Sequence, residues 1–151
     1  MFIDIARSRH SCRSFTAEPL TDEEKRLIVE AGDLAPSSKG RRPVRLVPID
    51  DVEVIRSLSD CKDSGARAME TATFAVAVAA DPAVADTWVE DSSIATIMMQ
   101  LEAEDLGIGS CWIQLRLRSR KGEPAENHTK EVLGLDSSLA VLSIVAFGRK
   151  A

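Results

Sequence analysis

Residues 87–115 constrain this chain more than any other stretch. Ile94, Ala95, Ile97, Met98, Met99 and Leu101 put apolar side chains almost all the way round one predicted helix, so it is expected to be covered on several sides. The last turn becomes acidic at Glu102, Glu104 and Asp105, and Gly107 is placed to end the helix in a left-handed cap. Cys111-Trp112-Ile113 then reads as a buried strand. A helix and strand of this kind belong at the centre of a fold.

The rest of the chain supplies partners for that centre. Phe2–Arg9 reads as a short helix, and Thr21 with Glu24 forms a capping box that opens a second. Val44–Pro48 alternates like a strand, and Asp50-Asp51 can cap a short helix carrying Val52, Ile55 and Leu58. Ala66–Ala72 reads as a further helical turn. Phe74–Ala80 is a continuous apolar run, expected to be a strand buried on both faces, and Leu139–Gly148, the most apolar run in the chain, reads as the last strand. Arg116–Glu123 reads as a charged loop, and Pro124–Gly134 as a helix with proline at its first turn and glycine at its end. Helices and strands alternate, which predicts one α/β or α+β domain over residues 1–151 with about four central strands and helices on both faces.

Composition narrows the function. A chain of 151 residues with net charge −5 and no tyrosine offers neither a general polyanion surface nor an aromatic platform for nucleic acid. No apolar run reaches membrane-spanning length. Cys12, Cys61 and Cys111 are odd in number and lack CxxC spacing, so they are expected to be reduced thiols of a cytoplasmic protein. The cations are clustered: Arg7, Arg9 and Arg13; Lys39, Arg41, Arg42 and Arg45; Arg116, Arg118, Arg120 and Lys121. Clusters on an acidic background suit a defined anionic ligand.

If residues 9–13 are extended, Arg9, Ser11 and Arg13 share one side, as a phosphate clamp would require; the alternative is a solvated basic turn. The 37–42 loop is open to a similar pair of readings, ligand loop or plain helix-to-strand connection. Gly107-Ile108-Gly109 is not a dinucleotide fingerprint, because it closes a helix and precedes a strand. His10 and His128 have no metal-ligand spacing. Glu90 and Asp91 read as first-turn carboxylates favoured by the helix dipole, and Cys111 as a core thiol. No acid–base constellation emerges, which suits a protein whose cofactor carries the chemistry.

Four segments, in order, resemble the FMN-dependent nitroreductase family. They are Arg9-His10-Ser11-Cys12-Arg13-Ser14-Phe15, Ala35–Val44, Trp88 through Trp112 with its Gly107-Ile108-Gly109-Ser110, and Leu133-Gly134-Leu135 with the closing Ile144–Gly148. The chain departs from the family pattern at Gly40, Arg42 and Val44, where asparagine, glutamine and tryptophan are usual. The resemblance implies an α+β fold with a central mixed sheet of four or five strands flanked by helices. It also implies an intertwined homodimer with FMN at the subunit interface. Arg9, His10, Ser11 and Arg13 would hold the phosphate and ribityl chain. Pro36, Ser37, Ser38, Lys39 and Arg41 would reach the flavin from the partner subunit, and the backbone of Ile113, Gln114 and Leu115 would face the ring. Arg149 or Lys150 would add a basic contact to the phosphate. The implied activity is ping-pong hydride transfer, from NADH or NADPH to flavin N5 and on to a nitroaromatic, quinone or related small-molecule acceptor. The alternative is a protein of the same fold that binds a flavin or phosphate ligand without turnover.

On this reading, Arg13→Ala weakens FMN binding by ~1.5–3 kcal/mol, the size of a hydrogen bond to a charged group. Fluorescence titration of FMN checks it, and an unchanged affinity removes Arg13 from the site.

Overall fold

The computed structural model describes residues 1–151. Its helices are α1 (Phe2–Ser8), α2 (Asp22–Asp33), α3 (Val52–Ser57), α4 (Trp88–Asp105) and α5 (Ala125–Leu133). Its strands are β1 (Val44–Ile49), β2 (Phe74–Ala80), β3 (Ile108–Gln114), β4 (Ser119–Arg120), β5 (Glu123–Pro124) and β6 (Ala140–Arg149). Two single 3₁₀ turns, Ser38–Gly40 and Arg67–Glu70, complete the set. No helix is long and apolar enough to cross a membrane.

β1, β2, β6 and β3 form one sheet in that order. Every pairing in it is antiparallel, so the expected mixed sheet is not found. The one parallel contact is an isolated bridge between Ser11 and Ser110 on the outer edge of β3. The reason lies in the connections: each pair of neighbouring strands enters the sheet from opposite ends, and only the short N-terminal segment runs alongside β3. The predicted loop at 116–123 contains the small β4–β5 hairpin.

β2 and β6 carry the core. Alternation along β2 sends Ala75, Ala77 and Ala79 to one face with Ile55, Leu58 and Met69. It sends Phe74, Val76 and Val78 to the other face with Ile28, Met99 and Phe147. Both faces are therefore covered, by α3 and α5 on one side and α2 and α4 on the other, as the unbroken apolar run of β2 required. A bulge in β6 shifts the register between Val78↔Ser143 and Ala79↔Val141, leaving Leu142 as the extra residue. The Leu142 carbonyl then accepts from both Leu115 N (2.9 Å) and Arg116 N (3.1 Å), which fixes where β3 ends.

α4 packs differently from the sequence expectation. Its sheet side is small and polar: Ser92, Ala95, Thr96, Gln100 and Ala103 are buried together with Met99. Thr96 Oγ1 donates to Ser92 O (2.8 Å) and lies 3.4 Å from Ser143 Oγ, and Gln100 Nε2 donates to Ser110 Oγ (3.1 Å). Small side chains let the helix approach the strands closely. The larger apolar residues Ile94, Ile97, Met98 and Leu101 are at best half-buried, and Ile94 is 37% exposed. Their spacing is that of a single helical stripe. Gly107 does take the left-handed conformation (φ +74°) that turns the chain from α4 into β3.

The segment after α1 closes over the end of the sheet. Cys12 N donates to Ser110 O (2.8 Å), Phe15 N to Thr71 Oγ1 (3.0 Å) and Thr16 N to Arg149 O (3.0 Å). The Phe15 ring lies over Gly148, where an added Cβ would come 2.7 Å from Phe15 Cβ and Cγ. Gly148→Ala should therefore cost about 1–3 kcal/mol by overpacking. Urea denaturation measures this, and a variant as stable as the wild type would mean that Phe15 shifts at no cost.

Candidate functional site

The site is built on the open edge of β3. Leu115 N bonds to β6, so by alternation the odd-numbered residues of β3 face that neighbour. Ser110, Trp112 and Gln114 then present their N–H and C=O outward. Ser110 is used by the bridge to Ser11, while Trp112 and Gln114 lie beyond the bridge, where the edge is uncovered. The side chains of Ile113 and Leu115 are buried on the opposite face, with Cys111 beside them. Of the three predicted ring-facing residues, only Gln114 therefore offers outward edge groups. On its own face Gln114 is locked, with Oε1 accepting from Trp112 Nε1 (2.9 Å) and Nε2 donating to Arg116 O (3.1 Å).

The bridge brings Arg9, His10, Ser11 and Arg13 to this edge. Arg9 caps α1 with non-helical backbone (φ −57°, ψ 125°), so the helix stops before this segment. His10 Nδ1 lies 3.0 Å from Ser8 O. Arg9 and Arg13 form no ion pair. On a chain of net charge −5, unpaired guanidiniums beside an open strand edge form a local anion-attracting surface. Burial raises the Cys111 thiol above its ordinary range, although Arg13 and Lys62 act the other way, and burial raises Cys61 to about 11. Both thiols stay protonated at neutral pH and are poor nucleophiles.

Arg149 is placed elsewhere. It lies two residues beyond Phe147 on the same side of β6, and that side faces α2. Both of its Nη atoms donate to the Glu24 carboxylate at 2.8 Å, and Nε lies 3.5 Å from Glu18. Glu24 also completes the α2 capping box, accepting from Thr21 N at 2.7 Å. The bond from Arg149, more than any other contact, lowers the Glu24 pKa. Arg149 is thus a tie between α2 and β6. Lys150 is bonded to Glu104 at 2.9 Å. Neither is free for a phosphate.

The second group, Pro36, Ser37, Ser38, Lys39 and Arg41, lies at the other end of α4. Lys39 and Arg42 both adopt left-handed backbone, at φ +54° and φ +52°. Such strain persists only where the surroundings impose it. Here Arg42 N donates to Ser37 Oγ (2.9 Å) and Arg42 Nη2 to Asp33 O (2.8 Å). The principal anchor is Asp91, only 3% exposed, which accepts from Ser38 N and Thr87 Oγ1, each at 3.1 Å. The sequence alone assigns Asp91 to the helix dipole and does not reveal this loop contact, because nothing local links residues 38 and 91. Beneath the loop lies a cavity of about 60 Å³ bordered by Gly32, Val44, Asp91 and Ala95.

Within one chain the two groups do not meet. The Ser37–Arg42 loop is tied to Asp91 near the start of α4, while the Arg9–Arg13 segment lies by Glu104 and Ser110 past its other end. Residues 91 and 104 are roughly 20 Å apart along the axis, at ~1.5 Å per residue.

Asp91→Ala should remove the acceptor of the Ser38 amide and the Thr87 hydroxyl, at about 0.5–1.5 kcal/mol per part-buried hydrogen bond. Limited trypsin digestion reads the local effect, since the cleavable bonds after Lys39 and Arg41 lie in the loop. Faster cleavage there is expected, and unaltered cleavage would show that Asp91 does not hold it.

Comparison with known proteins bears on the whole chain. A family model described as the nitroreductase family matches residues 6–87 and 56–149. A relative from Archaeoglobus fulgidus, provisionally named NADH dehydrogenase/NAD(P)H nitroreductase, is 31% identical over 93% of this chain and 80% of its own length. The structure of an FMN-dependent nitroreductase from Clostridium difficile R20291 superposes with TM-score 0.95 at 35% identity, covering 98% of this chain and 87% of that one. NADPH:FMN oxidoreductase from Vibrio harveyi, complexed with NAD+, superposes with TM-score 0.83 at 25% identity, covering 99% of this chain and 68% of that one. The fold, the order of the four sequence segments and a family match running almost from end to end agree: this chain belongs to the nitroreductase family.

Proposed function

We propose that the chain is an FMN-dependent NAD(P)H oxidoreductase that works as a homodimer and reduces a small nitroaromatic or quinone acceptor. The observation that carries this reading is the pair of unpaired arginines, Arg9 and Arg13, held at the open edge of β3 in a member of this family. The residues present fit an FMN. Arg9, Ser11 and Arg13, with His10 beside them, would hold its phosphate and ribityl chain by charge-assisted bonds. The outward groups of Trp112 and Gln114 would meet the ring edge. When bound, the flavin supplies the redox chemistry, taking a hydride from NADH or NADPH and passing the reducing equivalents to the acceptor. The chain's own task is to bind and orient the flavin and to fix charge around it. The three cysteines are unpaired, which suits a reducing cytoplasm.

The dimer follows from the separation of the two groups. The stripe Ile94, Ile97, Met98 and Leu101 is centred midway between Asp91 and Glu104. A two-fold axis crossing α4 at Ile97 and Met98 would lay the helix antiparallel on its copy. The Ser37–Arg41 loop of one subunit would then approach the Arg9–Arg13 segment of the other. Exposed Phe2 (66%) and Ile3 (44%) on α1 would extend the same apolar seam. Each cofactor site is thus completed by both subunits.

Purified protein mixed with FMN should retain a visible flavin spectrum through gel filtration and oxidise NADH or NADPH with a quinone acceptor. Its mass in solution should be twice the 16.4 kDa of one chain. Ile97→Asp should give a folded monomer with little FMN bound. A wild-type protein that takes up no FMN overturns the proposal. One that binds FMN but never oxidises either nicotinamide is a flavin-binding protein without turnover.

A further inference from the structure

A pocket of about 490 Å³ begins where the open edge of β3 ends. Its walls include the Trp88 ring, Leu115, Leu117 and Pro124, and it carries two guanidiniums, Arg116 and Arg118. The volume falls in the range of small-molecule sites, mostly apolar with a few polar groups that fix orientation. We infer that this pocket selects aromatic acceptors bearing a carboxylate, with Trp88 and Leu117 against the ring and Arg116 and Arg118 toward the anion. The inference rests on the oxidoreductase reading and names the substrate class of that site.

Three observations support it. First, neither arginine is paired with a carboxylate, although two acids, Glu123 and Glu126, also border the pocket. Glu126 is engaged elsewhere, accepting from Val141 N at 2.7 Å. Second, the Arg116 guanidinium lies 6.0 Å from the centroid of the Trp88 ring, so a cation and an aromatic face stand together. The Arg116 backbone is fixed from two sides, by its N–H to Leu142 O at the bulge and its C=O to Gln114 Nε2. Third, Leu117 between the arginines is 77% exposed and holds a left-handed backbone, φ +60°. A large apolar residue held in strained conformation at a pocket mouth is a feature of ligand sites. A planar carboxylate matches the fork of a guanidinium, and a ring of modest size fits the apolar wall.

The test is calorimetric titration of the FMN-loaded protein, without reductant, using 4-nitrobenzoate and its uncharged congener 4-nitrobenzamide. The acid is expected to bind about tenfold tighter than the amide, the size of one charge-assisted bond. That ratio should shrink with added salt. Arg116→Gln, Arg118→Gln and their combination should each reduce it, and the combination should abolish it. Equal affinities in the wild type, or a ratio that survives the double variant, overturn the inference. So does a double variant that loses only discrimination between NADPH and NADH, which would assign the arginines to the dinucleotide phosphate. Steady-state turnover separates the two levels. Quinone reduction with no acid-over-amide preference sinks the pocket assignment alone. Selective binding with no turnover on any acceptor sinks the oxidoreductase reading alone.

Discussion

The close contact between α4 and the sheet governs the arrangement of the rest of this molecule. It is made by short side chains, Ser92, Ala95, Thr96 and Ala103, with Gln100 reaching Ser110 by a hydrogen bond. Apart from Met99, which is fully buried there, this polar-lined contact takes no large aliphatic side chain from the helix. The others, Ile94, Ile97, Met98 and Leu101, are displaced to the outer face. One packing choice thus fixes the position of β3 relative to the helix and leaves an apolar stripe on the outer face. The two ends of the same helix carry the two groups that the proposed ligand site would unite, one through Asp91 and one past Glu104.

Much of the architecture is legible in the sequence because it depends on local chemistry. The Thr21–Glu24 capping box, the left-handed Gly107 and the fully buried β2 each follow from a few adjacent residues. The all-round apolar pattern of α4 is visible in the sequence, but periodicity cannot say which of its residues this chain covers itself and which it leaves on the outer face. Alternation along β6 determines the fate of Arg149. A basic residue near a predicted phosphate site is drawn instead to Glu24, and only the strand's facing, unknowable without the register, decides between the two.

The loop contact of Asp91 and the hydrogen bonds linking Trp112, Gln114 and Arg116 are the main features the sequence does not reveal. Both act over distance or through rotamers. The contact from Asp91 spans 53 residues to Ser38, and no spacing rule links them. The linking bonds depend on alternation placing positions 112 and 114 on one face, and on the bulge at Leu142 turning Arg116 back toward the start of α4. The strain in the 37–42 loop belongs to the same class. Lys39 and Arg42 give no compositional sign of left-handed backbone, and their conformation is imposed by the anchors around them.

The placement of β6 has a consequence for how the protein is made. Of the six strands it leaves the ribosome last, yet it lies inside the sheet, between β2 and β3. Until it arrives, β2 and β3 have an uncovered edge each, Phe15 has no Gly148 to rest on, and Glu24 has no Arg149. Nascent α2, β1 and β2 can associate early, but the N-terminal segment still lacks its bond to Arg149 O and its contact with Gly148. Assembly is therefore expected to be concerted and late, with long-range pairing limiting its rate. The intermediate most exposed to mispairing and aggregation is a chain still short of residue 140.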